Sequence, residues 1–158
     1  MRAVLPFLLA AAVSGCTAAP PQAQAPPFKA AADTLQLMDW VLDPAAGVIW
    51  DSVGTVIDAS GEHNFRPETD DEWTAVRNAA AVVAESGNLL MMDPRARDRG
   101  DDWMQYSEGL VDAGILAIKA AESRDPDAVF DAGGRIYAVC ASCHRMYLEE
   151  SLEAAVPR

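Results

Sequence analysis

The five residues Cys140-Ala141-Ser142-Cys143-His144, near the C-terminus, constrain this chain more than any other feature of its sequence. Cys-x-x-Cys-His is the attachment signature of a c-type haem, in which each cysteine adds to one vinyl group of the porphyrin. The adjacent histidine then lies beneath the iron as its proximal axial ligand. On a helix, residues three and four positions apart share one face, so all three side chains would point at the same porphyrin plane. The motif therefore predicts one covalent haem c, bound by Cys140 and Cys143 and ligated by His144.

Two other uses of the cysteine pair have to be weighed. A thioredoxin-like redox pair requires a strand–helix–strand context, whereas the residues around Cys140 have helical periodicity. A structural zinc site requires four protein ligands, and the whole chain contains only three cysteines and two histidines. Covalent haem is the interpretation that uses all five residues of the motif.

Residues 1–15 predict a signal peptide. Met1-Arg2 supplies a positive charge, and the apolar run from Ala3 to Val13 is too short to span a bilayer. The following Val13-Ser14-Gly15-Cys16 resembles the bacterial lipobox, which implies cleavage before Cys16 and acylation of that residue. Several acyl chains make a stable anchor, because each buried CH₂ contributes about 0.8 kcal/mol.

The lipoprotein resemblance also implies a location. Thr17 follows Cys16, so there is no aspartate to retain the protein at the inner membrane, and the outer membrane is favoured. Ordinary signal cleavage is the alternative. Either route delivers the chain to the periplasmic side.

Beyond the signal peptide, the sequence divides into a tether and one domain. Residues 16–32 are rich in Ala, Pro and Gln, which favours an extended spacer. Residues 33–158 suit a single domain with one core. A single Cys-x-x-Cys-His and only two histidines predict one haem.

Helical periodicity predicts four helices and almost no strand. Asp33 caps the first helix, in which Pro44 predicts a kink or a restart capped by Asp43. Residues 61–67 are expected to be a loop. The second helix begins at Thr69 or Asp70 and ends at Gly87. The third helix opens at Asp101 or Asp102, and the fourth at Asp125-Pro126.

The apolar spacing also predicts which residues face the core. In the first helix these are Leu35, Met38, Leu42, Ala45, Ile49 and Val53. In the second they are Trp73, Val76, Ala80, Val83 and Ala84. In the third they are Trp103, Tyr106, Leu110, Ala113, Ala117 and Ala121. In the fourth they are Phe130, Gly133, Tyr137, Cys140, His144 and Tyr147.

Four helices with Cys-x-x-Cys-His near the end of the last one resemble class II cytochromes c, the cytochrome c′ family and its low-spin relatives. The segment from Cys140 to Tyr147 looks like the family's C-x-x-C-H-x-x-Y ending, and the similarity covers about residues 33–148. The resemblance implies an all-α, four-helix bundle with haem c covalently bound on the C-terminal helix. Family members often have an arginine after the tyrosine. This chain has Leu148 there, with Arg145 or Arg135 as candidate substitutes.

The resemblance further implies that any sixth iron ligand comes from the first helix. In low-spin members a methionine follows a leucine, and Leu37-Met38 resembles that pair. His/Met ligation raises the reduction potential, which favours electron transfer. A methionine on an apolar face is also a common core filler. If Leu35 faces the iron instead, the haem would be five-coordinate. The other candidate methionines are weaker: Met91, Met92, Met104 and Met146.

The sequence therefore predicts a monohaem cytochrome that transfers single electrons and is not an enzyme. One alternative is a five-coordinate, cytochrome c′-like protein that binds nitric oxide or carbon monoxide, and another is a subunit of a larger oxidoreductase. The formal net charge of −12 becomes −13 without residues 1–15, which contain Arg2 and no acid. Such a surface repels nucleic acid and favours a basic redox partner, or only aids solubility. The family resemblance also allows a homodimer through the first two helices.

A few further residues carry weaker expectations. His63 is expected in a solvated loop. The large aromatics Trp73, Trp103, Tyr106 and Tyr137 are expected in the core. Gly133 and Gly134, which weaken a helix, suggest close approach of the porphyrin. Arg77 and Arg135 are candidates for pairing with the haem propionates.

Overall fold

A computed structural model describes the backbone of residues 29–155 and the side chains of residues 29–148. The predicted signal peptide, Cys16 and most of the tether lie outside the described residues. Within them the chain is mostly helical, with four helices and one two-stranded sheet. Buried side chains from all four helices form one hydrophobic cluster, which runs from Leu37 to Ile136.

The first helix consists of three consecutive segments: α1 (Thr34–Leu37), a π-helical turn (Met38–Leu42) and α2 (Asp43–Trp50). Asp33 begins it with a capping box, as predicted. The Asp33 carboxylate accepts a hydrogen bond from the Gln36 amide at 2.8 Å, and the Gln36 side chain accepts one from the Asp33 amide at 3.0 Å. These two bonds satisfy amide donors that would otherwise lack partners at a helix start.

Pro44, the second residue of α2, accounts for the π-helical turn. Proline has no N–H, and in a regular α-helix its ring would clash with the carbonyl four residues earlier, that of Trp40. The Asp43 amide instead donates to the carbonyl of Met38, five residues back. A wider turn therefore carries the helix through the proline. The predicted irregularity is therefore present. Asp43 does not cap α2 as predicted, because the N-cap residue is Leu42 and no side-chain capping hydrogen bond forms there.

The π-helical turn also shifts the buried face of the first helix. An i→i+5 turn holds one residue more than an α-helical turn. Leu37 and Leu42, five residues apart, are consequently both buried, whereas Leu35 is 68% exposed. The predicted core position of Leu35 was wrong for this reason, and the expected stripe is confirmed from Leu42 onward.

A β-hairpin follows the first helix, where no strand was predicted. β1 (Gly54–Asp58) pairs antiparallel with β2 (Gly61–Phe65), so the expected loop at residues 61–67 was wrong over most of its length. Nearly every residue of the hairpin is exposed, His63 among them. Strands that bury no face lack the apolar alternation by which a strand is recognised in sequence.

The second helix, α3 (Asp70–Leu90), begins as predicted. The Thr69 hydroxyl accepts from the Glu72 amide, and the Glu72 carboxylate accepts from the Thr69 amide at 2.9 Å. All five predicted core residues are buried. Gly87 was expected to end the helix but lies within it, because the next helix packs there. A Cβ atom on Gly87 would come within 2.6 Å of the Ser107 carbonyl oxygen.

The third helix, α4 (Gly100–Ser123), starts without a side-chain cap. Its N-cap residue is Arg99, so the predicted cap at Asp101 or Asp102 was wrong. The fourth helix, α5 (Pro126–Ala155), starts as predicted, because the Asp125 carboxylate accepts from the Ala128 amide at 3.0 Å.

The buried face of α5 differs from the predicted one in its first half. Phe130 and Tyr137 are each 64% exposed, while Val129 and Ile136 are fully buried. Gly133 is buried, but it lies against Trp50, whose indole N–H donates to the Gly133 carbonyl at 3.0 Å. Close packing of Trp50, and not of a porphyrin, therefore accounts for a glycine at position 133. Gly134 is exposed.

No helix within residues 29–155 has the length and apolar character required to cross a membrane.

Candidate functional site

An apolar pocket lies at one end of the bundle, where all four helices meet. It encloses about 340 Å³, including its open mouth. Met38 and Leu42 line it from the first helix, and Leu90 from α3. α4 and α5 complete the lining with Trp103, Tyr106, Ser107, Leu110, Val139, Cys140, Cys143 and His144. The four residues predicted as haem contacts, Met38, Cys140, Cys143 and His144, are therefore brought to one pocket.

Cys143 and His144 lie one helical turn after Cys140 on α5. Cys140 and Cys143 are half-buried free thiols, and His144 is exposed at the pocket mouth. The i, i+3 and i+4 spacing places all three on the side of α5 that lines the pocket, as the sequence predicted. The structure thus presents two thiols and one imidazole to a single apolar space.

The environment of the two thiols keeps them neutral. Burial raises the pKa of the Cys140 thiol, and the nearby negative charge of Asp43 raises it further. Burial, followed by the proximity of Cys140, also raises the pKa of Cys143, although Arg99 acts in the opposite direction. Reactive redox cysteines of the thioredoxin type have lowered pKa values. Together with the continuous helix around Cys140, these directions disfavour the redox-pair alternative.

Met38 is the methionine that lines the pocket among the described residues. It begins the π-helical turn, is half-buried and packs against the core. Met91, Met92, Met104 and Met146 do not line this pocket, and neither does the exposed Leu35. π-helical turns occur frequently at functional sites. Of the two first-helix candidates, the structure therefore places Met38, and not Leu35, beside the motif.

An aromatic cluster forms one wall of the pocket. Tyr147 makes edge-to-face contacts with Trp103 and Tyr106, with ring centroids 5.1 and 6.5 Å apart. The Trp103 indole N–H donates to the Leu90 carbonyl at 2.8 Å, which ties α4 to the end of α3. The buried Ser107 hydroxyl donates to the Trp103 carbonyl, so it presents no unpaired donor to the pocket. Trp73 and Trp103 are buried, as predicted, and Tyr106 is half-buried. The predicted core position of Tyr137 was wrong, because its side chain is exposed.

Arg99 is a basic residue of this region that the sequence analysis missed. Its guanidinium carbon lies 4.7 Å from the centre of the Trp103 ring and 5.8 Å from that of Tyr147. Arg77, by contrast, lines a groove with Ala121 and Arg124, about 20 Å farther along α4. Arg135 and Arg145 are both exposed. A basic residue directly before an acidic helix start was the signal that could have identified Arg99.

The side chains that line the pocket match the needs of one class of ligand. Two thiols one turn apart, an adjacent imidazole, a thioether from another helix and an apolar lining fit a covalently attached porphyrin. Within residues 29–148, no three His, Cys, Asp or Glu side chains converge closely enough to hold a metal ion by themselves. Comparisons of the chain with protein-family models, with curated proteins and with solved structures found no match.

Proposed function

We propose that this protein is a monohaem c-type cytochrome that transfers single electrons. One observation carries the proposal. The Cys-x-x-Cys-His motif and Met38, which are about 100 positions apart in the sequence, line the same apolar pocket. The pocket therefore holds every side chain that the proposed haem site needs.

Each residue has a distinct role in this proposal. Cys140 and Cys143 bind the porphyrin through thioether bonds, and their spacing fixes its position along α5. The His144 imidazole and the Met38 thioether would hold the iron. When bound, the haem supplies a reversible one-electron couple between ferric and ferrous iron.

The lining of the pocket supports electron transfer more than catalysis. The thioether of Met38 stabilises ferrous iron, and so raises the reduction potential. Leu42, Leu90 and Leu110 exclude water from the same space. Transfer of a single electron between a donor and an acceptor would require no bond of the protein to form or break.

Gas binding is the second candidate function. Met38 packs against the hydrophobic core, which by itself explains a methionine at this position. Without a Met38–iron bond, the apolar lining would leave one face of the iron accessible to nitric oxide or carbon monoxide. The two candidates therefore differ in one bond.

The setting of the cytochrome follows from the chain outside the pocket. A lipid on Cys16 anchors it to the membrane on the periplasmic side, and residues 16–32 tether the domain to that anchor. The net charge of −12 favours encounter with a basic redox partner at low salt.

The absorption spectrum of the purified, reduced protein, taken before and after addition of carbon monoxide, tests the proposal. We expect a six-coordinate, low-spin spectrum that the gas does not change. Met38→Ala should convert it to a high-spin spectrum that shifts with carbon monoxide. Met104→Ala is the matched control, because Met104 is a half-buried methionine outside the pocket. A wild-type spectrum that is high-spin and shifts with the gas would establish the gas-binding candidate instead.

A further inference from the structure

We propose that Arg99 binds a carboxylate at the edge of the haem and raises the reduction potential of the iron. This inference rests on the proposed function. It assigns the charge partner of the haem to the segment that joins α3 and α4, and not to α5 or to Arg77.

Arginine is an unfavourable residue at position 99. Arg99 is the N-cap of α4 and makes no side-chain capping hydrogen bond. N-cap positions favour Ser, Thr, Asp and Asn, because their oxygens accept from the free amides of the first turn. A positive charge also opposes the positive end of the helix dipole. A residue that breaks two local rules of stability marks a functional position.

Contacts with two aromatic residues hold Arg99 in place. Its guanidinium lies over the Trp103 ring, and its carbonyl accepts a hydrogen bond from the Tyr147 hydroxyl at 3.1 Å. Trp103 lines the pocket directly. Exposed arginines lose side-chain entropy when they are ordered, so contacts on both the backbone and the side chain favour a defined direction for this charge.

The charge of Arg99 is close to the motif and has no carboxylate partner among residues 29–148. The Arg99 guanidinium lies 5.8 Å from the centre of the Tyr147 ring, and Tyr147 follows His144 by three residues on α5, so the positive charge lies beside the motif. Two other arginines already have carboxylate partners: Arg97 pairs with Asp93 and Arg124 with Asp70. Among residues 29–148, no carboxylate lies within ion-pair distance of Arg99. Its planar fork of donors is suited to bind a carboxylate in two-point fashion.

Arg95 positions the segment that carries Arg99. It is only 6% exposed, and its guanidinium donates to the carbonyls of Leu89 at 2.9 Å and Ala32 at 2.8 Å. These bonds join the end of α3 to the residue before the Asp33 cap. Arg95 Nε has no hydrogen-bond partner among the described residues. A buried cation is costly, so this clamp indicates that the geometry of the segment matters.

The chemical consequence has a definite sign. Reduction adds one negative charge to the iron, so a nearby positive charge stabilises the reduced state. Pairing with a haem propionate acts in the same direction, because it offsets a negative charge that favours ferric iron. Arg99 should therefore raise the potential on both counts.

Redox titration of the holoprotein and its variants tests this assignment. Arg99→Gln should lower the midpoint potential, and Arg99→Lys, which keeps the charge, should retain most of it. Arg99→Met, whose apolar stem can still pack on Trp103, replaces the glutamine variant if that one does not fold. Arg97→Gln is the matched control, since it neutralises an exposed arginine two residues away in the same segment.

The outcomes are separable. If wild-type protein contains covalent haem and neutral Arg99 variants shift no more than Arg97→Gln, the assignment of Arg99 is wrong and the proposed function stands. If purified wild-type protein shows no pyridine haemochrome spectrum, the proposed function is wrong, and this inference fails with it. A larger shift for neutral Arg99 variants, with low-spin spectra retained, supports the assignment.

Discussion

The first helix and α5 contribute to an apolar concavity at each end of the bundle, and the two ends differ in chemistry. The cysteine end is the pocket lined by Met38, Cys140, Cys143 and His144. The tryptophan end is the groove between the first helix and α5, where Trp50 and Tyr137 meet edge to face at 6.2 Å. Both are apolar concavities on the first helix and α5, yet only the cysteine end presents thiols, an imidazole and a thioether.

The two ends have similar apolar shapes but differ in whether their polar groups have partners. At the tryptophan end the polar atom of the indole is already satisfied, because Trp50 donates to the Gly133 carbonyl. At the cysteine end, within the described residues, the two thiols are free and the imidazole is exposed. Packing and one hydrogen bond account for the first end, whereas the second end brings together two free thiols and an imidazole that make no such contact with one another among the described residues.

The largest expected difference between the ends is in haem content. The double substitution Cys140→Ala, Cys143→Ala should abolish covalent haem, because both thioether bonds are lost. Tyr137→Ala, an equally helical position at the tryptophan end, should leave the haem content unchanged. Haem staining after denaturing electrophoresis measures both. Retention of covalent haem in the double variant would contradict the assigned attachment.

The next effect is on stability and belongs to the tryptophan end. Trp50→Phe keeps an aromatic ring but leaves the Gly133 carbonyl without its indole donor. We expect a loss of about 0.5–1.5 kcal/mol in the free energy of unfolding, with no change in the haem spectrum. Trp40→Phe is the control, since Trp40 is 65% exposed and makes no indole hydrogen bond among the described contacts. Denaturant titration measures the difference, and a spectral change in Trp50→Phe would link the two ends.

The smallest effect is pH-dependent and concerns the start of α3, at the same end as Trp50. Hydrogen bonds from the Glu68 and Thr69 amides hold the pKa of Glu72 below its ordinary value of 4.5. A lowered folded-state pKa contributes stability that is present above pH 4.5 and is lost as the pH falls through the folded value. Glu72→Gln should therefore be less stable than wild type near pH 7, with a gap that narrows below pH 4.5. Thermal melts across that range measure it, and a constant gap would exclude the ionised cap as its cause.

Local signals in the sequence predicted helix starts well. Asp33, Thr69 and Asp125 each cap a helix as expected, because a cap depends only on residues within one turn. Positions on helix faces were less predictable. Phe130 and Tyr137 were expected inside and are exposed, because the contact between Trp50 and Gly133 selects a neighbouring face of α5.

The candidate site also contains residues that the sequence predicted and one that it did not. Cys140, Cys143, His144 and Met38 were predicted from short motifs, and the structure places all four at one pocket. Arg99 carries no motif, and its importance depends on Trp103 and Tyr147, which come from two other parts of the chain. The local signal, a basic residue directly before an acidic helix start, does not show that Arg99 lies beside the pocket.

By itself, the sequence determined the helical class, three of the helix caps and the Cys-x-x-Cys-His motif, since each depends on residues close together in the chain. Tertiary structure alone decided that Met38 shares a pocket with the motif, that a π-helical turn carries the helix past Pro44, and that Arg99 lies over the aromatic wall. These outcomes depend on contacts between residues far apart in sequence. Their energies are realised only when the helices pack, and no local pattern encodes them.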